Sequence, residues 1–324
     1  MAESHFRALG TLITLKTYGE TPEDLLERSE ALVRHYEDML TVNRETSLIQ
    51  SVNQAAGKRE VELPREIYEL VALAVRTSQE NMGFNALIGP LTKLWHIGFQ
   101  DARKPNESEI AQAKALCDPE LVSLNDAAAT VRLEKEGMAL DLGAIGKGFI
   151  ADRLKDFWRR DGVKQGLINL GGNLLFVGDA QHQEDKRWRV GLRSPLASHA
   201  PDIAQFSVGE CSVVTSGIAE RHLDVGRDRF HHIMDPETGY PLETPLASVT
   251  VMTETSVAAE IETTRLFFAG ELTNGWMQEA GHLGAIFAYQ DKSITTVGFA
   301  PDELRLLDKN YFLKETNNVN KPNL

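Results

Sequence analysis

The sequence predicts an α+β fold with largely antiparallel sheets and packed helices. Runs with helical spacing cluster early in the chain, short strand-like runs follow at close intervals, and no internal repeat is evident. The 324 residues, 42% hydrophobic and 25% charged, suit a soluble globular protein with a substantial core. We expect one domain over residues 1–310 and a polar, frayed C-terminal tail over residues 311–324.

The N-terminal third contains one predicted strand and two predicted helices. The run Thr11–Tyr18 alternates between apolar and polar residues, as a strand does. Thr21 as N-cap and Pro22 at the first helical position predict that a helix begins there. A loop over residues 47–53 leads to a second helix, which begins after Pro64 and carries a periodic apolar stripe.

The middle and the C-terminal part are richer in predicted strands. Gly and Pro residues bracket a short apolar segment over Gly83–Leu91, which predicts a loop packed against the protein. Ser108 is the predicted N-cap of a third helix, Ser256 is that of the last helix, and a hairpin is predicted over Leu283–Phe299. The remaining predicted strands are Leu121–Leu124, Ala129–Leu133, Met138–Leu142, Gln165–Leu170, Leu174–Val177, Trp188–Leu192, Ala204–Val208, Cys211–Gly217 and Leu246–Met252.

The stretch Asp141–Asp152 lies where a predicted strand turns into a helix that runs to about Arg160. Its three glycines allow a ligand to approach the backbone, and a helix start with Lys147 beside it suits a phosphate. The spacing matches neither a P-loop nor the dinucleotide-binding fingerprint. Close packing of a helix on a sheet explains the same glycines, so both interpretations stand at this point.

Charge and cysteine content exclude several classes. A net charge of −13 argues against nucleic acid and against anionic lipid as partners. Cys117 and Cys211 are the two cysteines, too far apart in sequence for a metal motif or a disulfide framework. Without an apolar signal segment, a lipid-bearing Cys or a membrane-length apolar run, we expect a cytoplasmic protein. A trimmed exported lipoprotein would show the same features.

Polar residues gather at the ends of several predicted strands, which is typical of a concave ligand site, although each segment singly is explained as a turn. These segments are Asp141, Asn169–Asn173, Thr215–Gly217 and His232–Asp235.

Two further pairs carry chemistry. Glu260 and Thr264 lie four residues apart and share a helix face, where a carboxylate and a hydroxyl suit Mg²⁺. A solvated helix face explains the same pair. His231 and His232 are adjacent in a predicted strand and point to opposite faces, so at most one of them enters a site.

Taken in order, these motifs resemble the ApbE family of FAD:protein FMN transferases over roughly Ala8 to Gly270. The most specific are Asp-Leu-Gly-Ala-Ile-Gly-Lys-Gly at residues 141–148 and His-Ile-Met-Asp-Pro-Glu-Thr-Gly-Tyr-Pro at residues 232–241. The resemblance implies a T-fold-like architecture. It also implies Mg²⁺-dependent transfer of the FMN half of FAD to a Thr or Ser hydroxyl of a target flavoprotein, with release of AMP.

The resemblance assigns functional residues as well. The implied metal ligands are the backbone carbonyl of Ala144 and the side chains of Glu260 and Thr264, with Thr263 beside them. His232 is the implied catalytic residue; either it or a nearby carboxylate is implied to assist deprotonation of the acceptor hydroxyl. The residues implied to line the flavin nucleotide are Leu9, Asn43, Gly83, Phe84, Asn85, Asp141, Lys147, Thr215, His232 and Ile233.

Several positions depart from the family pattern. Glu260 stands where Asp is usual, and its extra methylene moves the charge by about an ångström or more. Other departures remove charge and a stacking surface from the expected pocket: Asn43 for an aromatic residue, Asn85, Asn173 and Ile218 for Asp, and Leu9 for Met. Three hypotheses therefore stand: a flavin transferase, an FAD pyrophosphatase that releases FMN and AMP, and a non-catalytic FAD-binding protein.

Overall fold

A computed structural model describes residues 1–196, 200–219, 221–226, 228–299 and 303–314. The chain divides into two compact units. The sheet unit comprises Met1–His35, Lys147–Ala219 and Thr244–Leu324, and the helical unit comprises Tyr36–Gly146 and Glu220–Glu243. The single domain over residues 1–310 stays a prediction. Of the predicted tail, residues 315–324 lie outside the described residues.

Helices and mostly antiparallel strands make up the described residues, which confirms the α+β class. The helices are α1 (Leu25–Leu40), α2 (Leu48–Gln54), α3 (Arg65–Gln79), α4 (Gly89–Trp95), α5 (Glu107–Lys114), α6 (Gly146–Arg160) and α7 (Ser256–Ala269). The strands are β1 (Ala2–Ala8), β2 (Thr11–Thr17), β3 (Val61–Glu62), β4 (Val122–Asn125), β5 (Thr130–Leu133), β6 (Gly166–Leu170), β7 (Asn173–Val177), β8 (Trp188–Arg193), β9 (Asp202–Val208), β10 (Ser212–Gly217), β11 (His222–Val225), β12 (Asp228–His231), β13 (Leu246–Thr253), β14 (His282–Tyr289), β15 (Ser293–Val297), β16 (Leu304–Leu306) and β17 (Phe312–Leu313).

The sheet unit is built on a sheet of nine strands in the order β1-β2-β6-β7-β10-β13-β14-β15-β17, antiparallel apart from the β15–β17 pair. A three-stranded sheet, β16-β9-β8, shares a core with it around Trp188, Phe206 and Met252. All eight residues of β13 are buried, which requires cover on both faces. Helix α7 packs against β10 and β13 and so is held by the centre of the sheet.

The helical unit contains the small sheet β3-β5-β4, the hairpin β11-β12 and a core around the fully buried Trp95. The Trp95 Nε1–H donates to the carbonyl of Gly239 at 3.0 Å. Gly239 has a φ of 77°, and a Cβ there would lie 2.5 Å from Ile110 Cγ2. The Asp-Pro-Glu-Thr-Gly turn therefore has a structural role, since it seats its glycine on α5.

Most strand predictions are confirmed to within two residues, as are α3, the end of α6 and the closing hairpin. Two predicted helix starts in the N-terminal half of the chain are wrong. Helix α1 begins at Leu25 because the residues after Thr21 form a turn first. Helix α5 is capped by Asn106 and not by Ser108, since Asn106 and Glu109 form a reciprocal capping box.

The sequence pattern does not predict β1 or α4, and the predicted loop over residues 47–53 contains helix α2, which Ser47 caps. The predicted strand Met138–Leu142 is wrong. Its central residue, Leu140, has both backbone groups bound by one side chain: Asn53 accepts from the N–H at 2.7 Å and donates to the carbonyl at 3.0 Å. The side-chain amide of Asn53 thus makes the two hydrogen bonds that a neighbouring strand would otherwise make with Leu140.

Of the glycines in the stretch Asp141–Asp152, Gly148 has a packing role, because it lies where α6 meets α7. A Cβ on Gly148 would lie 2.6 Å from the Ser256 carbonyl oxygen and 2.9 Å from Glu260 Cγ. A Cβ on Gly146 would instead meet only Leu40 Cδ1, at 3.9 Å, an ordinary contact. Gly148 is therefore required for close packing of one helix on another.

We predict that Gly148→Ala lowers the free energy of unfolding by about 1–3 kcal/mol, because backbone and side-chain atoms of α7 would have to move. Gly146→Ala is the matched control in the same helix, expected to leave stability unchanged or raise it by up to about 1 kcal/mol. Urea unfolding of both variants measures the difference. Equal losses would contradict the assignment of Gly148 as the packing glycine.

Candidate functional site

The carboxylate of Glu260, in the sheet unit, is the centre of the candidate site. The residue is 5% exposed. Its Oε1 accepts a hydrogen bond from Asn173 Nδ2 at 2.8 Å and lies 3.8 Å from Lys147 Nζ. Among the described residues, Oε2 has no hydrogen-bond donor. Oε2 is not fully enclosed, so water or a bound cation can reach it.

Asn173 links this carboxylate to the start of α7. Its Oδ1 accepts from the Ser256 hydroxyl at 2.8 Å. The backbone N–H of Ser256 in turn donates to Asp152 Oδ1 at 2.8 Å, and that of Val257 donates to Asp152 Oδ2 at 2.9 Å. Side chains of α6, β7 and α7 thus form one network that ends on Glu260.

The N-terminus of α7 is fully capped. Asp152 takes its first two N–H groups, and Thr255 accepts from the N–H of Ala258 at 3.4 Å. Thr255 is therefore the N-cap, and the prediction of Ser256 in that role is wrong, because Ser256 already has helical geometry and bonds outward to Asn173. Burial raises the pKa of Asp152, while its two backbone hydrogen bonds act in the opposite direction.

Thr263 and Thr264 both donate from their hydroxyls to the carbonyl of Glu260, at 3.0 and 3.2 Å. Thr263 is fully buried, whereas Thr264 is partly exposed and lies one turn along the same helix face as Glu260. The Thr264 oxygen keeps lone-pair capacity for a cation. The Glu260 carboxylate and the Thr264 hydroxyl would both bind a metal through hard oxygen atoms. Such ligands suit Mg²⁺ and not a metal that prefers thiolate or imidazole.

The acidic content of this site is low. Within the part of the chain that the structure describes, no group of three or more His, Cys, Asp or Glu side chains could hold a metal by itself. A cation bound at Glu260 would therefore take its remaining ligands from backbone, water or substrate oxygens. This is the usual situation for Mg²⁺ that binds together with phosphates.

Two further predicted residues belong to the sheet unit. Leu9 has a φ of 55° in the turn between β1 and β2. Thr215 Oγ1 lies 2.7 Å from the hydroxyl of Thr250 on the neighbouring strand β13. Their assignment to the flavin nucleotide stays a prediction.

In the helical unit, several predicted residues have clear structural partners. Asp141 accepts from the Gly143 N–H at 2.9 Å and from the Thr92 hydroxyl at 3.1 Å. Asn85 donates to the Cys117 carbonyl at 2.9 Å, a bond that an ionised Asp in its place could not make. Phe84 is 2% exposed and belongs to the core. Any ligand contact of Phe84 would have to come from its backbone.

The two adjacent histidines have different partners. His231 Nε2 lies 2.9 Å from the Leu242 carbonyl and its Nδ1 accepts from the Ile233 N–H at 3.3 Å, a pattern that fits the neutral ring. Burial lowers the pKa of His231 in agreement. His232 Nδ1 lies 3.4 Å from the Arg221 carbonyl instead.

The remaining predicted residues of the helical unit lie in loops. Asn43 is exposed directly after α1, Gly83 has a φ of 88°, and Ala144 is exposed shortly before α6. Their roles in nucleotide or metal binding stay predictions. Sequence reasoning missed the capping role of Asp152, because its partners lie 104 and 105 residues away.

Fold and site define an α+β protein with a buried, oxygen-rich position beside a lysine, and comparison with known structures gives the same architecture. The ApbE protein of Thermotoga maritima superposes with a TM-score of 0.82 over 90% of this chain and 96% of that one, at 24% identity. Along the described residues, no helix is long and apolar enough to cross a membrane.

Sequence comparisons then identify the family. A model of the ApbE family matches residues 9–287. An FAD:protein FMN transferase of Klebsiella pneumoniae is 39% identical over 307 residues, 94% of each chain. One of Treponema pallidum is 33% identical over 323 residues, 94% of this chain and 89% of that one. The chain belongs to the ApbE family.

We predict that Asp152→Ala destabilises the protein by about 2 kcal/mol, because two backbone N–H groups at the start of α7 lose a charged acceptor. Asp156→Ala in the same helix removes an exposed ion pair with Arg153 and should change stability by less than about 0.5 kcal/mol. Chemical denaturation of both variants compares them. A loss no larger for Asp152→Ala than for its control would show that the cap is dispensable.

Proposed function

We propose that this protein is a flavin transferase that uses Mg²⁺ to move FMN from FAD onto a Thr or Ser hydroxyl of a target flavoprotein. Its membership of a family with relatives called FAD:protein FMN transferase supports the reaction. The observation that carries the metal requirement is Glu260, a buried carboxylate with one oxygen held by Asn173 and the other without a hydrogen-bond donor among the described residues.

In the proposed reaction the acceptor hydroxyl oxygen forms a bond to the FMN phosphorus. The bond from that phosphorus to the bridging oxygen breaks, and AMP leaves with the oxygen. Magnesium held by Glu260 and Thr264 would neutralise charge on the pyrophosphate. Lys147, at the same carboxylate, adds a mobile cation for the phosphates.

The hydroxyl proton requires an acceptor, and we assign His232 to that role. Both ring nitrogens of its neighbour His231 are engaged by backbone groups, and its lowered pKa disfavours uptake of a proton. His232 is partly exposed, and its imidazole is of the chemical type that accepts a proton near neutral pH. The assignment is tested by His232→Ala, which should slow transfer at saturating FAD more than it weakens FAD binding.

Hydrolysis of FAD to FMN and AMP is the second candidate, with water as the attacking group. Asn43, an exposed amide where the family resemblance implies an aromatic residue beside the adenine, would weaken FAD binding in hydrolysis and in transfer alike. An amide offers a poorer stacking surface than an aromatic ring. A non-catalytic FAD-binding protein is the third candidate.

One incubation separates the three candidates. The protein is mixed with FAD, Mg²⁺ and an acceptor polypeptide that bears a Thr, and flavin fluorescence of the denatured acceptor is measured together with free FMN and AMP. Labelled acceptor with AMP supports the transferase. Free FMN with AMP supports the hydrolase, and FAD binding without AMP supports a carrier.

We predict that Glu260→Ala lowers Mg²⁺-dependent turnover by at least about a hundredfold, because the site loses its buried carboxylate. Glu254→Ala, an exposed carboxylate just before α7, is the matched control and should retain wild-type turnover. Rates are compared over a Mg²⁺ titration. Undiminished activity of Glu260→Ala would remove Glu260 from the metal site.

For Lys147→Ala we expect FAD affinity to fall by about tenfold, which corresponds to about 1.4 kcal/mol for one lost phosphate contact. Lys164→Ala removes an exposed lysine of the same unit and should not change the affinity. Flavin fluorescence titration measures both. An unchanged dissociation constant for Lys147→Ala would show that this cation does not contact FAD.

A further inference from the structure

We propose that Asn173 is a positioning residue that fixes the Glu260 carboxylate so that Oε2 is presented to the divalent cation. The inference deepens the proposed function, because it depends on Glu260 being a metal ligand. It concerns a residue that makes no contact with the cation itself. Asn173 would act through the single hydrogen bond that it donates to Oε1 at 2.8 Å.

The orientation of the Asn173 amide is determined by its two partners. An ionised carboxylate can only accept, so the NH₂ group must face Glu260. The amide oxygen then accepts from the Ser256 hydroxyl at 2.8 Å. With Asn173 2% exposed and both ends of its amide engaged, the side chain has no alternative arrangement in this site.

A glutamate side chain has three rotatable bonds and must be confined before it can serve as a fixed ligand. Two features of the sheet unit confine Glu260. Gly148 lies so close to the Glu260 side chain that a Cβ on the glycine would be only 2.9 Å from Glu260 Cγ. Asn173 holds Oε1 of the carboxylate. The stem and the head of the side chain are therefore both fixed before any cation binds.

The neutrality of the amide is as important as its position. A lysine or arginine in the place of Asn173 would hold Oε1 equally well but would cancel the charge that attracts a cation. The one cation beside Glu260 among the described residues, Lys147, lies at 3.8 Å and has a mobile stem. Asn173 fixes the carboxylate and leaves its full negative charge in place.

A purely structural role for Asn173 is the alternative, since the same amide ties β7 to the start of α7 through Ser256. Ser256→Ala removes that tie and keeps the bond from Asn173 to Glu260. Asn173→Ala removes both bonds. The pair therefore separates a positioning role from a structural one within a single buried network.

The experiment uses the full chain and Mn²⁺ as the probe, with free Mn²⁺ measured by electron paramagnetic resonance and stability by thermal unfolding. We expect Asn173→Ala to weaken Mn²⁺ binding by about 10- to 100-fold, as loss of a partner that orients a metal ligand does. Ser256→Ala should lower the unfolding temperature similarly, yet change the Mn²⁺ dissociation constant by less than about threefold.

Turnover gives a second readout. For Asn173→Ala, the half-saturating Mg²⁺ concentration should rise by the same about 10- to 100-fold, while kcat at saturating Mg²⁺ returns to within about threefold of wild type. Unchanged Mn²⁺ affinity in Asn173→Ala would overturn the inference. Equal weakening in Ser256→Ala would also overturn it, because the role would then be structural.

Glu260→Gln distinguishes this inference from the proposed function. If that variant binds Mn²⁺ as tightly as wild type, the metal site and the role of Asn173 both fail. If Mn²⁺ binding requires Glu260 but no flavin is transferred or hydrolysed, the proposed function fails. The Mn²⁺ titration of Asn173→Ala still decides the role of Asn173 in that case.

Discussion

Burial of Glu260 is the constraint that the contacts between β7, α6 and α7 have to meet. A charge removed from water is tolerated only where hydrogen bonds or counter-charges replace its hydration. Asn173 and Lys147 provide part of that replacement on one oxygen. The other oxygen has no protein donor among the described residues and is open to solvent, which makes this carboxylate a candidate ligand and distinguishes it from a structural ion pair. Glu262 on the same helix shows the contrast, because both of its oxygens are engaged by Arg265 and Trp276.

Helix α6 acts as the support for α7. Gly148 and Asp152 lie four residues apart, so they occupy one face of α6, and both contact the first turns of α7. Gly148 allows α7 to pack closely on α6, and Asp152 caps the N-terminus of α7. The stretch that looked from its glycines like a phosphate-binding turn or a packing site thus has a defined packing role at Gly148. Lys147, the residue before Gly148, is a cation beside Glu260 and could still bind a phosphate.

Prediction from the sequence succeeded where the signal is local. Alternation and helical periodicity located most strands and α3, and the four-residue spacing of Glu260 and Thr264 indicated a shared face. It failed where a distant side chain replaces a local partner. The segment Met138–Leu142 has the composition of a strand, yet Asn53, 87 residues away, takes its backbone bonds. The same holds for Asp152, whose role depends on a helix that begins more than a hundred residues later.

Glu at position 260, where the family resemblance implies Asp, fits the neighbours that it has in this structure. An Asp side chain would retract the carboxylate by roughly 1.5 Å, more than a hydrogen bond of about 2.7–3.2 Å can absorb, so the bond to Asn173 would be lost. The close packing at Gly148, where any Cβ would press on Glu260 Cγ, suits either side chain because Asp and Glu both carry a Cγ. The glutamate carboxylate also needs a neutral donor, which an Asp at position 173 could not be when ionised. Glu260 and Asn173 therefore form a consistent pair, in which a carboxylate on α7 is held by a neutral amide on β7.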